Sequence, residues 1–225
     1  MKKKILVLVL LTLSVVLTGC FKKDNKDALK FKEDYEEING KENASGKIHR
    51  EVEISKKNKF VEITPEELVK KIDNKESFYV YFGSRLCPWC RSVIEKADEI
   101  SRKNKIDKIY YIDVWDDLGN EIFRDKYEIN EDGELKQSFK GAEEYKKVLN
   151  SIDEALLRDY TINDSEGNTI EVGEKRIYAP NYVYFKNGKG IRLVTGKSDK
   201  QTDSREELTK EILEDETNIF NEFFK

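Results

Sequence analysis

Cys87 and Cys90 stand two residues apart in "YFGSRLCPWCRSV", and the 225-residue chain has one other cysteine, Cys20. Two thiols at this spacing can close a disulfide between themselves, and a thiol that ionises can attack a disulfide elsewhere. The aromatic and β-branched run "SFYVYFGS" before the pair reads as a buried strand. After it, Val93, Ile94, Ala97 and Ile100 recur at helical spacing through "RSVIEKADEISRKN". The pair therefore falls at the first turn of a helix, where free backbone N–H groups and the helix dipole favour a thiolate. Pro88 suits that turn because its missing N–H would be unpaired anyway. A closed zinc site needs about four ligands, and beyond carboxylates only His49, the single histidine, is on offer. Redox chemistry is the better reading, with no metal and no cofactor.

The compartment decides what such a pair can do. "MKKKILVLVLLTLSVVLTGC" opens with Lys2, Lys3 and Lys4, continues with an apolar stretch and ends in small residues, the layout of an export signal over 1–19. Leu17-Thr18-Gly19-Cys20 resembles the bacterial lipobox. That resemblance implies cleavage before Cys20, lipidation of its thiol, and a lipid anchor on the extracytoplasmic face of the bacterial cell membrane. Cleavage would take the net charge from −4 to −7, so electrostatics give no reason to expect nucleic-acid binding. Disulfides persist outside the cytoplasm, which suits a working dithiol.

Residues 20–47, rich in Lys, Asp, Glu and Asn, read as a lipidated tether whose later half can dock on the domain through a weak helical stripe at Leu29, Phe31, Tyr35 and Ile38. A domain over 48–225 follows. Strands are expected in "IHREVEI" and "KFVEIT". Thr64-Pro65-Glu66-Glu67 is a capping box that opens a helix, and "KIYYIDV" is a further strand. Alternation of strand and helix implies partly parallel pairing. Between 116 and 177 the pattern changes: a short helix is expected near "NEIFRDKY", a long one in "AEEYKKVLNSIDEALLRDY", and a hairpin turning at Asp164 to Gly167. Asn187-Gly188 joins two more strands, and Ser204 with Glu207 forms a second capping box before a terminal helix.

Strand-CPWC-helix, "KIYYIDV" running into "DVWDD", Ala179-Pro180 before "NYVYF", and the hairpin "FKNGKGIRLVTG" with its terminal helix together resemble the thioredoxin superfamily. The lipid-anchored bacterial members, similar to the bacteriocin-transport accessory branch, are the nearest description. The resemblance implies an α/β, three-layer thioredoxin-like fold with a central mixed sheet, carrying 116–177 as a helical and hairpin insertion before a cis-proline at Pro180. It implies Cys87 as nucleophile, Cys90 as resolving thiol, and Pro88, Trp89, Ala179 and Pro180 in contact with substrate. One departure is Tyr81: six residues before the first cysteine the family carries a buried aspartate associated with proton transfer.

The function expected is a membrane-anchored thiol–disulfide oxidoreductase, more a reductase than an oxidase. It would act on a disulfide-containing exported protein and draw electrons from a membrane thiol carrier. The alternative is a non-catalytic module that uses the same scaffold to hold an exported protein or peptide. His49 reads as an ordinary surface residue, Trp115 as packing under the insertion, and Arg85 and Arg91 as flanking charges that either support a thiolate or face solvent.

Overall fold

The computed structural model describes residues 26–225, so the expected export signal and Cys20 lie outside the described residues. Successive side chains of a strand point to opposite faces, and the central strands use both faces for burial. In β2 (Phe78–Gly83) Tyr79 and Tyr81 face one way, while Phe78, Val80 and Phe82 face the other. The strand β3 (Ile109–Asp113) divides Ile109 and Tyr111 from Tyr110 and Ile112. Likewise β8 (Asn181–Lys186) divides Tyr182 and Tyr184 from Val183 and Phe185. A sheet apolar on both faces must be covered on both.

With β1 (Phe60–Glu62) and β9 (Lys189–Val194) these strands form one five-stranded sheet in the order β1-β3-β2-β8-β9. Both partners of β3 run parallel to it, whereas β8 runs antiparallel to β2 and β9. One face is covered by α3 (Pro88–Lys103), α5 (Lys210–Phe223) and a helix over 26–36, α1. The other is covered by α2 (Pro65–Asp73) and α4 (Glu143–Asn150). This is a three-layer thioredoxin-like fold with a mixed sheet. Thr64 caps α2 through the reciprocal box with Glu67, and Pro65 sits in its first turn. Among the described residues no helix is long and apolar enough to cross a membrane.

Several local expectations are corrected. The stretch expected as a tether docks through the stripe it carries: α1 forms over 26–36, and Phe31, Tyr35 and Ile38 are buried, so packing begins well before residue 48. "IHREVEI" forms no strand of the sheet, and only Ile48 makes an isolated bridge, to Glu42, although Val52 and Ile54 are buried. No helix forms near "NEIFRDKY"; instead β4 (Lys126–Ile129) and β5 (Leu135–Phe139) make a separate hairpin. The long helix expected after residue 142 stops at Asn150, and a 3₁₀ turn over Glu154–Leu156 leads into β6 (Arg158–Asn163). Strand β6 pairs with β7 (Thr169–Arg176), as the turn at Asp164 to Gly167 predicts. The terminal helix is capped by Thr209 rather than Ser204. His49 is buried, not on the surface.

Candidate active site: the Cys87–Cys90 dithiol

Cys87 is the N-cap of α3, and its Sγ accepts the Cys90 backbone N–H at 3.3 Å. A side chain in this position faces the unpaired N–H groups of the first turn, so any negative charge on it is stabilised. Both cysteines are free thiols. Cys87 keeps 3% of its surface open to solvent and Cys90 none, which makes Cys87 the sulfur that an incoming disulfide can reach. The hydrogen bond from the Cys90 thiol pulls the pKa of Cys87 down against the cost of burial, helped by the Cys90 and Trp89 N–H groups and by the charge of Arg124. Burial, then the bond to Cys87, holds Cys90 well above the ordinary thiol range. The two sulfurs thus differ in state: one is poised to ionise, the other to stay protonated and donate.

The loop facing them is pinned. The Ala179–Pro180 peptide bond is cis, Cys87 Sγ lies 3.6 Å from the Ala179 carbonyl oxygen, and Pro180 is buried. Asn181 holds the loop from behind, donating through Nδ2 to the Pro180 carbonyl at 2.9 Å and accepting the Tyr178 N–H at 2.7 Å. Pro88 and Trp89 are half-buried at the front of α3. Trp89 packs against the core rather than standing free, and the Lys197 ammonium sits 4.8 Å from its ring centre. Trp115 packs between the two cores. Among the described residues no group of three or more His, Cys, Asp or Glu side chains is placed to hold a metal ion.

The flanking arginines serve structure. Arg85 pairs with Asp117 at 2.9 Å and Glu37 at 3.4 Å. Arg91 is fully buried and donates to the carbonyls of Tyr35, Arg50 and Arg85 and to Asn39 Oδ1, with no carboxylate among its partners. It fastens the N-terminal segment to the dithiol helix. The charge that acts on Cys87 comes from Arg124 of the insertion, itself held by Glu121 at 2.7 Å and the Ile177 carbonyl at 3.2 Å.

Beneath the dithiol lies a tyrosine cluster that was legible only in part. Tyr111, Tyr81 and Tyr182 stand opposite one another on β3, β2 and β8. Their rings stack at centroid distances of 5.4 and 4.5 Å. Tyr35 of α1 meets Tyr81 hydroxyl to hydroxyl at 2.9 Å. Tyrosine recurs in "FYVYF", "IYYID" and "NYVYF", which signals this face; nothing in the sequence joins Tyr35 to it. Gly83 is required here, since a Cβ on it would lie 2.1 Å from the Tyr81 oxygen. No protein-family model matches the chain, and no curated protein matches it.

Proposed function

We propose that the chain is a thiol–disulfide oxidoreductase, with Cys87 as nucleophile and Cys90 as resolving thiol. The observation that carries the reading is the asymmetry of the pair: Cys87 caps α3 and accepts the Cys90 N–H, while Cys90 is buried and held protonated. The Cys87 thiolate attacks one sulfur of a substrate disulfide, and the other sulfur leaves as a thiolate. Cys90, once deprotonated, attacks Cys87 Sγ and expels the second substrate sulfur. The substrate gains two electrons and the protein is left with a Cys87–Cys90 disulfide.

The substrate proposed is a disulfide in an exported protein, met by Ala179, Pro180, Pro88 and Trp89. Lipidation at Cys20 would hold the enzyme on the extracytoplasmic face of the membrane, and a membrane thiol carrier would restore the dithiol. Replacing Cys90 with Ser should trap mixed disulfides through Cys87 that vanish in the Cys87→Ser chain. Failure of the dithiol to exchange with any disulfide, together with partner binding that survives loss of both cysteines, would establish a binding module instead. Direction is read by equilibrating the pair against glutathione buffers. A midpoint near about −270 mV supports a reductase, and one near about −120 mV an oxidase.

A further inference from the structure

The two hairpins of the insertion meet where the Tyr127 N–H donates to the Tyr160 hydroxyl at 3.2 Å and the two rings stand edge to face at 5.8 Å. Both tyrosines line a cleft of about 660 Å³, a size usual for ligand sites. Its charged lining is one-sided: Arg124, Lys126 and Arg176 stand against a single acid, Glu121, in a chain whose net charge is −4. Arg124 grips Glu121 with Nε at 2.9 Å and Nη2 at 2.7 Å, and Arg176 Nη2 reaches the same carboxylate at 3.0 Å. All three side chains are more than nine-tenths buried. The neighbouring acid, Asp125, is taken by Lys146 at 3.1 Å. Two guanidiniums on one carboxylate leave a positive charge in the wall with no counter-ion, a costly arrangement that an arriving anion relieves. The Tyr160 ring, centred 4.1 Å from the Arg176 guanidinium, compensates it only in part. Burial, and then the like charge of Arg124, holds Arg176 below its ordinary pKa. A guanidinium carries five N–H donors. With the bonds to the Ile177 and Asp125 carbonyls, three are engaged on Arg124 and two on Arg176, so each keeps donors for a further acceptor.

The cleft borders the segments that flank the dithiol. Gly119 of its lining stands beside Leu86, so that a Cβ on Gly119 would lie 3.9 Å from Leu86 Cδ1, and Leu86 immediately precedes Cys87. Arg124 donates to the Ile177 carbonyl at 3.2 Å, two residues before Ala179, whose own carbonyl oxygen lies 3.6 Å from Cys87 Sγ. Trp115 of the lining packs against the core that contains both cysteines. We infer that this cleft is a subsite for the substrate protein, taking a carboxylate side chain from the segment next to the disulfide that Cys87 attacks. The inference rests on the oxidoreductase reading above. Arg124 and Arg176 donate to that carboxylate, and Lys126 adds to the attraction. Trp115, Tyr127, Phe139 and Tyr160 give the cleft ring surface as well as charge, so the segment it fits carries an aromatic or aliphatic side chain beside the acid. A free inorganic anion would use the charge and leave that surface bare.

The test is single-turnover reaction of the full chain with two peptide disulfides that differ only beside the reacting cysteine. One carries an aspartate, a glutamate and a phenylalanine, the other the corresponding amides with the same phenylalanine. Below saturation the acidic peptide should release its first thiol about tenfold faster or more, a preference that shrinks as salt rises. Arg176→Gln and Lys126→Gln should each cut the ratio of the two rates. Lys136→Gln, in the same hairpin but outside the cleft lining, should keep it. Lys126 is exposed, so its variant tests the cleft even where Arg176→Gln does not fold. Binding is read separately by calorimetry: a cysteine-free acidic peptide should bind the Cys87→Ser chain, and inorganic phosphate at equal concentration should not displace it. A preference below about twofold in the unaltered chain, a preference untouched by both cleft variants, or binding of phosphate without the peptide would overturn the subsite. Peptide binding with no thiol released from either disulfide would keep the cleft as an acidic-peptide site and overturn the oxidoreductase reading; absence of both would overturn both.

Discussion

At the scale of single residues, the state of each buried titratable group is set by what surrounds it, and that can be measured. The hydrogen bond from the Cys90 thiol is the largest influence lowering the Cys87 pKa, so Cys90→Ala should shift the pH profile of Cys87 alkylation upward. An unmoved profile would mean that the helix end alone sets the thiolate. Glu216 of α5 is fully buried, and neither carboxylate oxygen has a hydrogen-bond partner. Burial raises its pKa from 4.5 to about 8, against the nearby charges of Lys96 and Arg50. A raised carboxyl pKa favours the folded state fully below the unfolded value and loses that contribution as pH climbs through the folded one. Stability should therefore fall between about pH 4.5 and 8. Glu216→Gln should gain about 1–3 kcal/mol at pH 8 and nothing at pH 4 in urea titrations. A gain independent of pH would assign the effect to packing instead.

At the scale of elements, what was legible depended on whether a signal was local. The box at Thr64 and the Asn187-Gly188 turn carry their own hydrogen bonds and backbone preferences, and both formed where expected. The helix expected through residue 160 failed because the chain after α4 is claimed by a sheet edge. The Gly190 N–H donates to the Ser151 carbonyl and the Asp153 N–H to the Gly190 carbonyl, which draws Ile152 alongside β9. Its spacing of apolar residues satisfied a helical period without a helix. The β4–β5 hairpin was missed for the opposite reason: β5 is exposed throughout, so no burial pattern marks it. Its register comes from Asn130, whose side chain accepts the Asp132 and Glu134 N–H groups. Within the insertion α4 is core, with Tyr145 and Val148 buried. Tyr145→Ala should cost about 3–5 kcal/mol of unfolding free energy; a loss below about 1 kcal/mol would make α4 a detachable cover.

At the scale of the whole molecule, the candidate site is less local than its four-residue motif suggests. Cys87, Cys90 and Pro180 announced themselves, whereas Arg124, whose charge acts on Cys87, and Tyr35, which meets Tyr81 beneath the pair, did not, because each comes from a segment whose role only the assembled chain defines. Arg91 shows the dependence best, since two of the three carbonyls it binds, those of Tyr35 and Arg50, and its side-chain partner Asn39 belong to residues 35–50. A chain beginning at residue 48 should lose the burial of Phe31 and Tyr35, about 1.5–3 kcal/mol for each. It should also leave Arg91 short of partners and melt at a markedly lower temperature than a chain beginning at residue 26. Equal melting temperatures would show that α1 is an accessory. The same arrangement fixes an order of events during folding. The wall behind Cys90 takes one tyrosine each from α1, β2, β3 and β8, spanning residue 35 to residue 182, and contacts so distant along a chain close late. Until they do, both thiols face the surroundings alike, so the dithiol passes through an unprotected interval before the fold sets its two sulfurs apart.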